Sequence, residues 1–258
     1  MPRTRTAAAP WSPRFGEGQR FASIARAVAR VEGFDAFPDV DALDAALADL
    51  LPRRDDGRYR LAPQRPSPRR GRGADVDALY DVVIDARGEI PTRPRNWHDL
   101  LNALVWASFP RAKSRLSARQ RRLHLARLAE RPPGATTLPG ARTRAQDALA
   151  LLDEGGALVL CTDASHGPLR AALTEGARGA LDAATARGEA RVLLFGHALF
   201  EHFVHGLPAR AGPTLLAVAA IPEDCDHARR LADEALARRL DDDTDITAPE
   251  SLIAIPLP

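Results

Sequence analysis

At 258 residues with a formal charge of +2, the chain is long enough to bury a substantial core and carries no excess charge that would demand a polyanionic partner. No stretch reaches the eighteen or so apolar residues of a membrane span, and the N-terminal MPRTRTAAAPWSPRF has no apolar signal segment, so a cytoplasmic protein with no membrane partner is expected. Cys161 and Cys225 form neither a C-x-x-C nor a zinc-finger spacing and read as reduced thiols.

In chain order, RFASIARAVARVEG (20–33) places Phe21, Ile24, Ala25, Val28 and Val31 on one helical stripe ended by Gly33. Asp39 suits the cap of a second helix, VDALDAALADLL, closed by Pro52. RYRLAP (58–63) is a strand candidate and RPSPRRGRG (65–73) a loop. ALYDVVID (78–85) fits helix or strand, and ARGEIPT (86–92) a turn with an extended continuation. Asn96 caps a helix whose Asp99 suits the reciprocal position of a capping box and which stops at Pro110. A basic helix is expected from Ser114 to about Glu130, then a linker over 131–143. Beyond it, apolar strands ALVLCTD (157–163), RVLLF (191–195) and TLLAVAAI (214–221) alternate with helical stretches over 168–188, 197–206 and 226–240.

This pattern predicts an α/β fold. A helical half, about 20–143, packs on a small mixed, partly parallel sheet formed mainly by the half from 144 to 240. Residues 1–19 read as a flexible arm and 241–258 as an acidic, then apolar, tail.

The scarce residues are concentrated in one window. Lys113 is the one lysine among 36 basic Lys and Arg residues, and Asn96 and Asn102 are the two asparagines. Trp97 and Trp106 fall in the same window, NWHDLLNALVWASFPRAK (96–113). In a chain that otherwise uses Arg throughout, a retained compact ammonium points to a tight polar site. On the helix, Trp97, Leu100, Leu101, Leu104 and Val105 form an apolar stripe, while His98 and Asn102 share a face flanked by Asp99 and Trp106. That polar set can orient a substrate or a metal-bound water, or simply brace neighbouring loops.

Two further clusters follow apolar strands. His197 emerges after RVLLF, with Glu201 and His205 at one and two turns, a spacing that suits either metal chelation or a carboxylate fixing an imidazole tautomer. Asp163, Ser165 and His166 leave ALVLCTD; if the two strands are parallel neighbours, Asp163 and His197 meet at one rim, and otherwise these residues begin the next helix. Nucleophile-elbow, Walker and dinucleotide motifs are absent.

IPTRPRNWHDLLNALVWASFPRAK, LLDEGG and RVLLFGHALFE together resemble a bacterial family designated domain of unknown function 3025, from about the RYRLAP strand to the C-terminal helix. The resemblance implies no particular activity. It implies that Trp97, His98, Asp99, Asn102, Trp106, Pro110, Lys113, His197 and Glu201 occupy the family's motif positions, with Asp153 and Glu154 in its acidic turn.

The sequence therefore points to a hydrolase-like enzyme. Its expected site sets His98, Asp99, Asn102 and Lys113 opposite His197 and Glu201, with Trp97, Trp106 and Asp163 contacting substrate. His197 or His98 serves as base or metal ligand, Glu201 orients the imidazole, Asn102 donates to the substrate, and Lys113 neutralises an anionic group. No cofactor is fixed, a divalent metal being one option. The alternative is a non-catalytic protein that binds a small anion or a peptide in the same pocket. Nucleic acid is not expected: the arginines of the 111–131 helix lie on several faces and suit a solvated surface.

Overall fold

The computed structural model describes residues 9–64, 74–138, 140–177, 179–207 and 211–256, so the expected loop over 65–73 lies outside the described residues. The fold is α/β with small mixed sheets. Its N-terminal part runs through a 3-10 turn, Gln19–Ile24, into the one-turn helix α1 (Ala25–Val28), then α2 (Val40–Leu47). The long helix expected over 20–33 is thus two short pieces. The tighter 3-10 repeat turns Ala25 outward while Phe21, Ile24, Val28 and Val31 stay buried. Asp39 caps α2 as expected, its carboxylate accepting from the Ala42 N–H at 2.8 Å.

A two-residue hairpin, β1 (Arg53–Arg54) with β2 (Gly57–Arg58), leads into β3 (Arg60–Pro63). After β4 (Ala74–Asp75), the ambiguous ALYDVVID segment is a helix, α3 (Tyr80–Arg87). Gly88, at φ 65°, ends it in the left-handed conformation that favours glycine, and β5 (Glu89–Thr92) returns parallel to β3. The helical half therefore has small sheets of its own.

Helix α4 (Trp97–Ser108) is the centre of the molecule: every one of its 12 residues except His98 is buried. Asn96 caps it, accepting from the Asp99 N–H at 3.0 Å. Helix α5 (Pro110–Ala129) begins immediately, four residues before the expected Ser114, because proline at the first helical turn gives up no hydrogen bond. Four of its arginines form ion pairs with other segments of the chain at the surface: Arg111 with Glu234, Arg115 with Asp241, Arg121 with Asp85 and Arg122 with Asp243.

Inside the expected linker, β6 (Thr137–Leu138) pairs with β4. The capped helix α6 (Arg144–Gly155) follows, begun by a Thr143–Gln146 capping box. The C-terminal part then alternates β7 (Ala157–Cys161), α7 (Asp163–Thr174), α8 (Gly179–Ala186), β8 (Ala190–Leu194), α9 (His197–Val204), β9 (Ala211–Val218), α10 (Cys225–Asp241) and β10 (Ile253–Pro256). The four strands form one mixed sheet in the order β10-β9-β7-β8, with β9 and β7 parallel and the outer pairs antiparallel.

Two segments expected to be peripheral are packed in. The end of the expected tail supplies edge strand β10, with Ile255 buried. In the expected arm, Trp11 stacks on Trp97 with ring centroids 5.5 Å apart. No helix among the described residues is long and apolar enough to cross a membrane. Cys161 and Cys225 are free thiols.

Candidate active site

The antiparallel pairing of β7 with β8 determines where the site lies. Ala157 pairs with Leu194, so the end of β8 meets the start of β7, where α6 delivers the turn Asp153–Glu154–Gly155–Gly156. Gly156 accepts at its carbonyl from both the Phe195 and Gly196 N–H groups, at 2.9 and 2.8 Å. This clamp holds His197, the first residue of α9, against the acidic turn. Helix α4 packs across α9 and brings in His98 from 99 residues away.

The two imidazoles meet edge to face, with their Nε2 atoms 2.9 Å apart. Each Nδ1 has an oxygen partner that can only accept. His98 Nδ1–H donates to the Glu201 carboxylate at 3.0 Å, and His197 Nδ1–H to the Asp153 carbonyl at 2.8 Å. Both tautomers are thereby fixed with Nε2 facing the centre. The Glu154 carboxylate lies 3.5 Å from His197 Nε2 and 4.0 Å from His98 Nε2. His197 is 3% exposed, whereas Glu154 is half-exposed, so solvent reaches the centre from the Glu154 side.

The environments drive the two rings apart. The hydrogen bond to Glu201, opposed by burial and reinforced by Glu154, raises the His98 value. Burial lowers His197 to about 4, outweighing the Asp153 charge. One proton shared along the Nε2···Nε2 line therefore belongs to His98, and His197 is the neutral partner. Burial raises Glu154 above the ordinary carboxylate value, while the bond to His98 lowers Glu201.

Behind the imidazoles lies a second polar layer. Lys113, 1% exposed, donates to the Asp153 carboxylate and to Asn102 Oδ1 at 2.8 Å. With its Oδ1 fixed by the ammonium, Asn102 donates through Nδ2 to the Tyr80 hydroxyl at 2.6 Å. Tyr80 rises well above its ordinary value, chiefly through burial.

Beside it, burial and then the Asp153 charge push Asp81 up to about 7. Because the folded value exceeds the ordinary one, this group's stabilisation is full below about pH 4 and is lost as pH rises through 7. Asp81→Asn is expected to remove that slope and to exceed the wild type by on the order of 1–2 kcal/mol in urea denaturation at pH 8. Parallel pH profiles for the two proteins would contradict it.

Of the residues picked from the sequence, His98, His197 and Glu201 converge, with Asn102 and Lys113 behind them. Glu201 orients His98 rather than its own helix neighbour His197. Lys113 is too deeply buried to meet a substrate anion; it braces Asp153. Asp99 is committed to Arg93, accepting from its backbone N–H and from two guanidinium nitrogens at 2.7–2.8 Å.

Neither tryptophan forms a wall of the site. Trp97 is the hub of an aromatic cluster with Trp11, Phe15 and Phe37 and donates its indole N–H to the Ala9 carbonyl at 2.7 Å. Trp106 is buried against Tyr59 and the Lys113 ammonium. Asp163 opens α7 at the far end of β7, about 16 Å of strand away. The condition for its meeting His197, parallel neighbouring strands, fails because β7 and β8 are antiparallel.

The residues without an assigned role in the sequence reading are Tyr80, Asp153 and Glu154. The acidic pair had a usable signal. Two carboxylates in the last turn of a helix oppose its dipole, and no basic residue compensates them there, so their placement requires a reason outside the helix.

A family model described as "Protein of unknown function (DUF3025)" matches residues 70–258. It starts beyond the β3 strand where the resemblance was expected to begin and runs past α10 to the end of the chain. No curated protein and no solved structure matches. The matched region includes both histidines, the acidic turn, Lys113 and every other residue of the converging site, and by its extent the chain belongs to the DUF3025 family of proteins of unknown function.

Proposed function

We propose that the protein is a hydrolase-like enzyme whose centre lies between His98, His197 and Glu154. The observation that supports this reading is the meeting of two Nε2 atoms, from helices far apart in sequence, with both Nδ1 positions anchored. Fixing two rings in one tautomer and facing one another costs side-chain entropy and desolvation. A scaffold would fill the same space with apolar side chains at no such cost. The groups facing the centre are two imidazole Nε2 atoms and a carboxylate, a set suited to activating water rather than to forming a covalent intermediate. Water enters beside Glu154, gives up a proton within the centre and adds its oxygen to an electrophilic carbon or phosphorus; the leaving group takes a proton back.

The test is a panel of chromogenic esters, phosphoesters and amides, turned over by the wild type and by His197→Gln. At least one substrate class should be hydrolysed, with kcat/KM falling about 100-fold or more in the variant while its circular dichroism is retained. Equal rates in the two proteins would remove His197 from the reaction, and no turnover of any class would remove the enzyme reading and favour a binding protein.

A further inference from the structure

The geometry points to a divalent transition-metal site whose ligands are His98 Nε2, His197 Nε2 and the Glu154 carboxylate, holding a zinc-class ion with at least one position open to water. This inference rests on the same convergence as the hydrolase reading, but it concerns what occupies the centre rather than which bond is broken there.

Three features support it. First, one ligand atom from each of the three residues falls in a cluster spanning no more than 4.8 Å. Two ligands bound to one ion at about 2.1 Å stand roughly 3.0–3.4 Å apart for angles between square and tetrahedral. The 2.9 Å between the imidazoles and the 3.5 Å from His197 to Glu154 match that spacing closely. The 4.0 Å from His98 to Glu154 asks for a closing of about half an ångström, which a half-exposed glutamate supplies by a small side-chain rotation.

Second, the outer partners are those that metal-binding imidazoles use. A carboxylate on one Nδ1–H and a main-chain carbonyl on the other fix the ring orientations and raise the donor strength of the opposite nitrogen. Asp153 is itself pinned by Lys113, so the carbonyl that orients His197 sits on a braced residue.

Third, two imidazoles and one carboxylate form a donor set for borderline ions, zinc or ferrous iron, with an open position. It is a poor set for magnesium or calcium, which prefer oxygen. The charges agree. Glu154 faces the centre, Glu201 adds its charge from behind His98, and the nearby buried ammonium of Lys113 is engaged by Asp153 and Asn102. A dication placed between the Nε2 atoms replaces the proton they otherwise share, and it supplies water activation by lowering the pKa of a bound water to about 7.

The test uses full-length protein stripped with a chelator and titrated with Co2+ as a spectroscopic probe, followed by displacement with Zn2+ and with anaerobic Fe2+. One equivalent should bind with d–d bands of a low-coordinate nitrogen–oxygen site, be displaced by Zn2+ or Fe2+, and be unaffected by an excess of Mg2+. His98→Ala should weaken cobalt binding at least about 100-fold and Glu154→Gln about tenfold, with Glu201→Gln losing about 10–100-fold through the outer hydrogen bond alone. Glu154 is half-exposed, so its variant tests the site even where a histidine variant folds poorly. Absence of d–d bands in the wild type, or an affinity unchanged in both His98→Ala and Glu154→Gln, would overturn the inference. Cobalt binding without hydrolysis of any substrate keeps the ion site and removes the hydrolase reading. Hydrolysis that persists in chelator without cobalt binding does the reverse.

Discussion

Lys113→Met is expected to destabilise the fold by about 3–5 kcal/mol in urea denaturation at neutral pH. The methionine retains the apolar stem and removes the ammonium, which stands between the Asp153 carboxylate, Asn102 Oδ1 and the ring faces of Trp106 and Phe195, 5.6 and 5.9 Å from their centroids. Removing one partner of a buried pair leaves the other charge uncompensated, and that penalty exceeds the net worth of the intact pair. The pH dependence separates this cause from a simple packing defect. In the wild type, burial alone would push the Asp153 carboxyl up, but Lys113, His197 and the hydrogen bond from the ammonium outweigh it and hold the group below its ordinary value. Its contribution is therefore present above about pH 4 and lost as the pH falls below that. In the variant, burial is opposed by the two histidines alone and the carboxyl titrates above its ordinary value, so the variant loses stability as the pH rises from about 4. The gap between the two proteins should be small near pH 4 and full at pH 8, measured with EDTA present so that metal binding does not contribute. Lys113→Met combined with Asp153→Asn should recover most of the loss. An equal gap at both pH values would mean that the lysine matters for its volume and not for its charge.

What the sequence made legible follows the range of the interactions involved. The Asn96 cap, the Asp39 cap and the turn at Gly88 are decided within four residues, and each is where the pattern placed it. His98 and His197 were picked as polar residues at a helix start and beyond a strand end, and both reach the centre. The roles of their neighbours were not legible, because roles depend on which way a strand runs. With β8 antiparallel to β7, the end of β8 lies beside the acidic turn and not beside Asp163. The same choice sends Glu201 across to His98 and makes Glu154 the carboxylate at the centre. Rarity was also an imperfect guide. Trp97 and Trp106 share the window with His98 because α4 is buried all round, so its large residues serve the core. Lys113 places a compact ammonium, a point charge and not a planar fork, between Asp153 and Asn102.

The acidic turn accounts for a further part of the sequence, the glycines of LLDEGG and FGH, and Gly196→Ala tests that account. Gly196 has φ −67° and ψ 118°, backbone angles open to any residue, so conformational freedom is not its purpose. Space is. A Cβ built there would lie 2.4 Å from the Gly156 nitrogen, 2.6 Å from the Glu154 carbonyl oxygen and 2.6 Å from the Gly155 carbonyl carbon. All three are main-chain atoms, which cannot swing aside as a flexible side-chain tip does. The alanine must push the turn away from the start of α9, stretching the two hydrogen bonds that Phe195 and Gly196 give to Gly156. The expected loss is about 2–3 kcal/mol, the upper part of the overpacking range. Because the same turn carries the Asp153 carbonyl that orients His197 and the Glu154 carboxylate beside it, cobalt affinity should fall about tenfold or more with it. Gly179→Ala, at the start of α8 with open space around the position, is the control and should stabilise by no more than about 1 kcal/mol. If Gly196→Ala matched the wild type in both urea midpoint and cobalt binding, the turn would have room to spare, and the close approach of α6 to α9 could not be what holds His197 in register with His98.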